Sequence, residues 1–296
     1  MAFVLTKESR SGTVHPWLVV ASGKGGTGKT SVAVSLAKTF LEMGKKVQLI
    51  DADVEGPNLH HFLDVGKSQE TLVNSMLPIV DPNLCSECGV CVEVCKFHAL
   101  AAVGRIMVFP ELCHGCQACL ELCPQKAISA SHQEIGVIHH WPGKNLEVLQ
   151  GRLHVGKVLT PSLIRALFAQ ARAWQGDITI VDAPPGTSCP MVAAIRPADH
   201  LLLVTEPTPF GRHDLDLAVK VAGQGRLPCS VIINRSNGAD EEIETYCRSR
   251  GVPILERLPE ERAVAEAYAQ GRVMGTLGGE WENRFQRLCR QWERRE

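Results

Sequence analysis

What this 296-residue chain lacks is an excess of either charge: 31 Lys and Arg oppose 32 Asp and Glu, a formal net charge of −1. That balance removes any global electrostatic drive toward nucleic acid or anionic lipid. Either partner would need a local basic patch, and none is prominent in the body of the sequence. The chain also lacks any apolar run approaching the roughly 20 residues that span a bilayer. Met1 to Arg10 has neither the apolar stretch nor the small-residue cleavage site of a signal peptide. A cytoplasmic protein with no nucleic-acid partner is therefore expected. The 45% hydrophobic and 21% charged residues read as soluble and globular, and the length suggests about two domains.

Cysteine is abundant, and eight of the twelve fall in two blocks, Cys85-x2-Cys88-x2-Cys91-x3-Cys95 and Cys113-x2-Cys116-x2-Cys119-x3-Cys123-Pro124. A reducing compartment favours metal ligation over disulfides for such a set. The blocks are an internal repeat with a period of 28 residues: Pro82 maps to Pro110, Leu84 to Leu112, and Ala99 to Ala127. Three thiolates at two-residue gaps can wrap one face of a cubane, and the fourth, three residues on, ligates the other cluster. One 4Fe–4S cluster is thus assigned to Cys85, Cys88, Cys91 and Cys123, and a second to Cys113, Cys116, Cys119 and Cys95. Structural zinc sites take ligands from two separated CxxC pairs, a different spacing. The stretch from about Ile79 to Ala130 resembles bacterial two-cluster ferredoxins, with Lys96 after Cys95 where the second block has Pro124. Gly89 and Gly115 suit tight loops around the clusters.

A second motif precedes these blocks. Trp17 to Ala21 reads as a buried strand, Gly23-Lys24-Gly25-Gly26-Thr27-Gly28-Lys29-Thr30 as a phosphate loop, and Thr30 to Met43 as a helix closing at Gly44. Backbone amides of Gly25 to Lys29 would cradle phosphates, Lys29 would reach the β and γ oxygens, and Thr30 would ligate Mg²⁺. The additional Lys24 makes the loop resemble the deviant Walker A of the MinD/ParA/nitrogenase-iron-protein ATPases. The resemblance implies an ATP-dependent homodimer in which Lys24 reaches the partner's nucleotide. It also implies that Asp53 orients the attacking water, with Asp51 and Asn58 in supporting positions at the end of Lys46-Val-Gln-Leu-Ile-Asp51. Asp182, ending the strand Asp177 to Asp182, would hold Mg²⁺ through water, and the Gly186 amide would sense the γ-phosphate. Asn234 matches the adenine-contacting asparagine and Pro259 the loop lining the base on its other side. The absence of an NKxD motif favours ATP over GTP.

The expected fold class is α/β: a doubly wound, mostly parallel P-loop sheet over residues 1–78 and 131–296, with an inserted α+β ferredoxin-type domain over 79–130. Helices are expected near Pro161 to Trp174, Gly211 to Ala222, Asp240 to Arg250 and Glu261 to Ala269, and short strands or a hairpin over Gly136 to Gly156. Adjacent histidines on a strand point to opposite faces, so His139-His140 reads as structural, as does His60-His61. Cys189, seven residues after Asp182, resembles the placement of one cluster-bridging cysteine in the nitrogenase iron protein, but the second bridging cysteine has no counterpart. The CxxC of Mrp-type scaffold ATPases is also missing from Asn234 to Tyr246. From Trp281 to Glu296 one helical face carries Trp281, Phe285, Leu288 and Trp292; packing on the domain is expected rather than the membrane association of MinD.

These features lead to an ATP-hydrolysing homodimer whose nucleotide state is coupled to low-potential electron transfer toward a redox acceptor. The alternative is an ATP-dependent factor that assembles or carries a metallocluster for a client metalloprotein. Spatial positioning, as in MinD and ParA, would leave eight cluster ligands unexplained.

Overall fold

The structure, a computed structural model, describes residues 15–294. The reading of Met1 to Arg10 and the last two residues of the C-terminal segment lie outside the described residues. The chain opens with β1 (Trp17–Ala21), the phosphate loop, α1 (Lys29–Glu42), β2 (Val47–Asp51) and a 3-10 turn, Leu59–Phe62. Next, β3 (Gln69–Val80) leads out to a cysteine-rich lobe. The lobe holds α2 (Val90–Val94), β4 (Leu100–Ala102), β5 (Ile106–Val108) and α3 (Ala118–Glu121). The return strand is β6 (Ile128–Trp141), followed by β7 (Leu146–Leu153) and α4 (Thr160–Ala171). The rest alternates: β8 (Ile178–Asp182), α5 (Cys189–Ile195), β9 (His200–Thr205), α6 (Pro209–Gln224), β10 (Cys229–Ser236), α7 (Glu241–Arg250), β11 (Ile254–Pro259), α8 (Arg262–Ala269) and α9 (Gly279–Glu293).

Nine strands form one sheet in the order β11-β10-β9-β1-β8-β2-β7-β6-β3. The seven from β11 to β7 are parallel, while β6 and β3 add antiparallel. Strand order reverses at β1, which places the phosphate loop at the crevice where α/β sheets bind ligands. β1, β2 and β8 are buried at every position, because helices cover both faces of a parallel sheet. Alternation divides β1 between two cores. Trp17 and Val19 join the side chains of α4, α5, α6 and α7; Leu18 and Val20 join those of α1 and α9. Trp281, Phe285 and Leu288 of α9 are buried in the second core, as the spacing predicts, and Trp292 packs at its margin. No helix among the described residues is long and apolar enough to cross a membrane.

The segment expected as short strands is a long antiparallel ribbon. β6 begins at Ile128, eight residues before Gly136, because it pairs with β3 from Gln69↔His140 to Val80↔Ile128, with an irregularity at Val73/Asn74. The ribbon's last two rungs, Ile79↔Ser129 and Val80↔Ile128, enter the lobe itself.

Candidate nucleotide site and cysteine lobe

The phosphate loop is shaped by what it touches. Gly28 has φ +91°, and a Cβ there would meet Asn234 Nδ2 at 2.4 Å. That amide instead donates to the Thr27 carbonyl at 2.8 Å, so Asn234 braces the loop. Gly23 packs against the Asp214 carbonyl, and the Gly186 N–H donates to the Ser22 carbonyl at 3.1 Å.

Three carboxylates gather behind the loop, and β2–β8 pairing sets Asp51 opposite Asp182. Asp51 accepts N–H bonds from Asp53 at 3.1 Å and from Asn58 and Leu59 at 3.0 Å, which shapes the turn after β2. Burial, then the neighbouring Asp182, push its pKa well above the usual carboxylate range. Asp53 is raised by burial against the pull of Lys29. Asp182 is pushed up to about 6 by burial, although Lys29 and a Thr30 hydroxyl bond lower it. Thr30 Oγ1 donates to Asp182 Oδ2 at 2.5 Å, while the buried Oδ1 has no partner. An orphaned carboxylate oxygen beside a hydroxyl, among carboxyls crowded round one lysine, fits a hydrated divalent cation.

In front lies a cleft of about 710 Å³ lined by Gly25, Gly26, Gly28, Lys29, Thr30, Asp53, Asn58, Asn234 and Pro259. Sequence reasoning had singled out these nine. Gly23, Thr27, Asp51, Asp182 and Gly186 stand behind or beside the cleft, and Lys24 is ion-paired to Glu206 of its own chain at 2.8 Å. Arg262 and Tyr268 of α8 also line the cleft and were missed. Tyr268 packs on Phe62 of the 3-10 turn at 5.0 Å; one aromatic on a short amphipathic helix gives no signal in the sequence.

In the lobe, one cavity is lined by Cys85, Cys88, Cys91 and Cys123. The Cys91 thiol is pushed up by burial, with Cys85 and Cys123 adding to it. Burial also raises Cys113, with Cys116 and Cys95 as its thiol neighbours, and Cys119, with Cys113 and Cys116. The thiols therefore fall into two groups, each taking its fourth member from the other block. Among the described residues no three His, Cys, Asp or Glu converge on a single metal ion. Four thiols spread round a cavity fit a polynuclear cluster rather than one zinc.

The 28-residue repeat is present in the backbone. The Ala99 and Ala127 N–H groups donate to Cys95 and Cys123 Sγ, both at 3.3 Å. Left-handed residues recur at Glu87 and Gly115, at Gly89 and Gln117, and at His98 and Lys126. Gly89 and Gly115 are thus not equivalents; each repeat places glycine at a different left-handed position.

One member of each histidine pair is engaged within the fold. His60 Nδ1 lies 2.7 Å from Gln150 Oε1, and the His60 and His139 rings stack on Trp141. Cys189 is exposed at the first residue of α5.

Comparison with known proteins agrees with this geometry. Residues 18–274 match the family described as the CobQ/CobB/MinD/ParA nucleotide binding domain. An uncharacterized protein of Methanocaldococcus jannaschii is 31% identical over 257 residues, covering 86% of this chain and 89% of the relative. The cytosolic Fe-S cluster assembly factor nubp2 of Xenopus tropicalis is 26% identical over 285 residues, 88% of this chain and 85% of the relative. The fold is similar to that of the cell division ATPase MinD of Pyrococcus furiosus, with a TM-score of 0.60 at 20% identity, covering 96% of this chain and all of that one. The chain belongs to the CobQ/CobB/MinD/ParA family of P-loop nucleotide-binding ATPases.

Proposed function

We propose that this is a cytoplasmic, ATP-hydrolysing iron–sulfur protein. In this reading the nucleotide state of a homodimer is coupled to low-potential electron transfer, by way of a two-cluster ferredoxin-type insert spanning residues 79–130. The observation that carries it is the placement of the lobe. Its return strand, β6, stacks His139 and Trp141 near His60, two residues after Asn58 in the segment that carries Asp53.

At the nucleotide, Lys29 would neutralise phosphate charge, Thr30 would ligate Mg²⁺, Asp182 would hold it through water, and Asp53 would align the attacking water; hydrolysis needs positioning more than covalent chemistry. Asn234 and Pro259 would flank the base. In the lobe, Cys85, Cys88, Cys91 and Cys123 would hold one 4Fe–4S cluster, and Cys113, Cys116, Cys119 and Cys95 the other. When bound, such clusters supply one-electron exchange at low potential. EPR of anaerobically purified, dithionite-reduced protein, with MgADP and with a non-hydrolysable MgATP analogue, tests the coupling. Two interacting signals whose shape or midpoint shifts with nucleotide are expected; two signals indifferent to nucleotide reject coupled transfer.

A second reading is supported by the relative named a cytosolic Fe-S cluster assembly factor, which aligns with 88% of this chain. Here the ATPase assembles or delivers a cluster to a client metalloprotein. ATP-dependent transfer of labelled iron to an apo client would support it, and transfer that ignores ATP would end it.

A further inference from the structure

The second lysine of the phosphate loop is held by its own chain. Lys24 Nζ lies 2.8 Å from Glu206 Oε2, with the lysine side chain 32% exposed and the glutamate 9%. Glu206 follows directly on β9, and its other oxygen, Oε1, accepts a hydrogen bond from Arg235 Nη1, whose side chain is 54% exposed. The Lys24 backbone is pinned: Ser22 Oγ donates to its carbonyl at 2.5 Å, and Gly23 presses on Asp214. The lysine side chain, partly exposed, is the part of the residue these contacts leave free.

We infer that Glu206 is a latch that keeps Lys24 in its own subunit, and that Arg235 is the counter-ion that lets the latch open. This deepens the reading of an ATP-dependent homodimer and rests on it. A buried carboxylate stripped of its only cation costs several kcal/mol, which would lock a simple pair shut. Here each oxygen has its own cation, so Lys24 can leave for a partner's phosphates while Arg235 keeps Glu206 compensated. Arg235 sits at φ +53°, a conformation unfavourable for a non-glycine residue that its bond to Glu206 helps to hold. Arg235 follows Asn234, whose amide braces the phosphate loop, so the counter-ion is fixed to the same loop that carries Lys24.

The two charges make opposite predictions. Glu206→Gln removes the latch from both subunits, and association driven by a non-hydrolysable MgATP analogue should occur at about tenfold lower protein concentration, the worth of two partly exposed ion pairs at about threefold each. Arg235→Gln leaves Lys24 as the sole counter-ion, and association should need about tenfold more protein. Sedimentation of the iron-loaded full chain reads both, with monomer affinity for the analogue measured in parallel to separate binding from association. If the wild-type protein associates and both variants match it or shift in the same direction, the latch falls while the dimer stands. If neither the wild-type protein nor E206Q associates, the dimer and the latch fall together. Association of E206Q alone would support a latch strong enough to hold the wild-type protein as a monomer.

Discussion

In the parallel sheet, helices on both faces bury every residue of β1, β2 and β8, and the charged residues of those strands, Asp51 and Asp182, sit at their ends. In the cysteine lobe the buried core is Cys91, Cys95, Cys113, Cys119, Ala99, Leu100 and Ile128, so most of it is made of metal-ligand candidates. Leu84, Val103, Met107, Leu112 and Leu122 stay exposed there. One region is stabilised by apolar area that folding itself removes from water; the other buries little of it, and clusters held by its thiols would supply the rest.

The strongest test of that contrast is to remove iron. Chelation under reducing conditions should collapse amide-exchange protection over residues 81–127 by orders of magnitude, while β1, β8 and β9 keep theirs and the protein still binds nucleotide. A lobe that stays protected without iron would break the comparison.

Asp182→Asn attacks the other side. Losing the carboxylate that faces Thr30 should lower ATP hydrolysis by about a thousandfold and leave the iron content unchanged. Iron loss in that variant would mean that the two regions fold as one unit.

Acidity should move the two regions in opposite directions. Asp182 has a folded pKa of about 6 against an ordinary 3.8, so between those values the native state holds a proton that the unfolded chain has released. Its contribution to the stability of the nucleotide-free, Mg²⁺-free site is therefore fully present below pH 3.8 and lost progressively as pH rises through 6. MgATP binding needs the ionised form and should weaken as pH falls below 6, by up to about tenfold per unit. Iron in the lobe would need thiolates, so protons should compete with it and acid should loosen the lobe. Calorimetric binding at pH 5.5 and 7.5, with and without Asp182→Asn, should show the pH dependence shrink in the variant to what Asp51, Asp53 and the nucleotide's own phosphate contribute.

Much of the nucleotide half was legible because its signals are dense: a glycine loop between an apolar strand and a helix, and aspartates closing two further apolar strands. The gathering of Cys85, Cys88, Cys91 and Cys123 round one cavity follows the spacing of the two blocks. β3 was not legible, since half of its residues face solvent and its register comes from β6 rather than from an apolar pattern. Glu206 was passed over as the residue after a strand. Its partners lie far away in sequence, at positions 24 and 235, and only the sheet order brings β9 between them.

The smallest predicted effect separates the two repeats inside the lobe. Gly89 and Gly115 both adopt positive φ, 78° and 62°, so alanine at either incurs the left-handed penalty of about 1 kcal/mol. Around Gly89 nothing lies within 4 Å of an added Cβ, and the cost should stop there. At Gly115 that Cβ would sit 2.4 Å from Ser75 Oγ and 3.1 Å from the Met76 carbonyl. The hydroxyl can rotate away, but the carbonyl belongs to β3 and to its ladder with β6. Gly115→Ala should therefore cost about 2–3 kcal/mol of lobe opening free energy, read by amide exchange in the iron-loaded protein. Equal costs would mean that the second block does not lean on β3. In that case the ribbon would tether the lobe without bracing it, and a shift at β6 would have no rigid path to the thiols of that block.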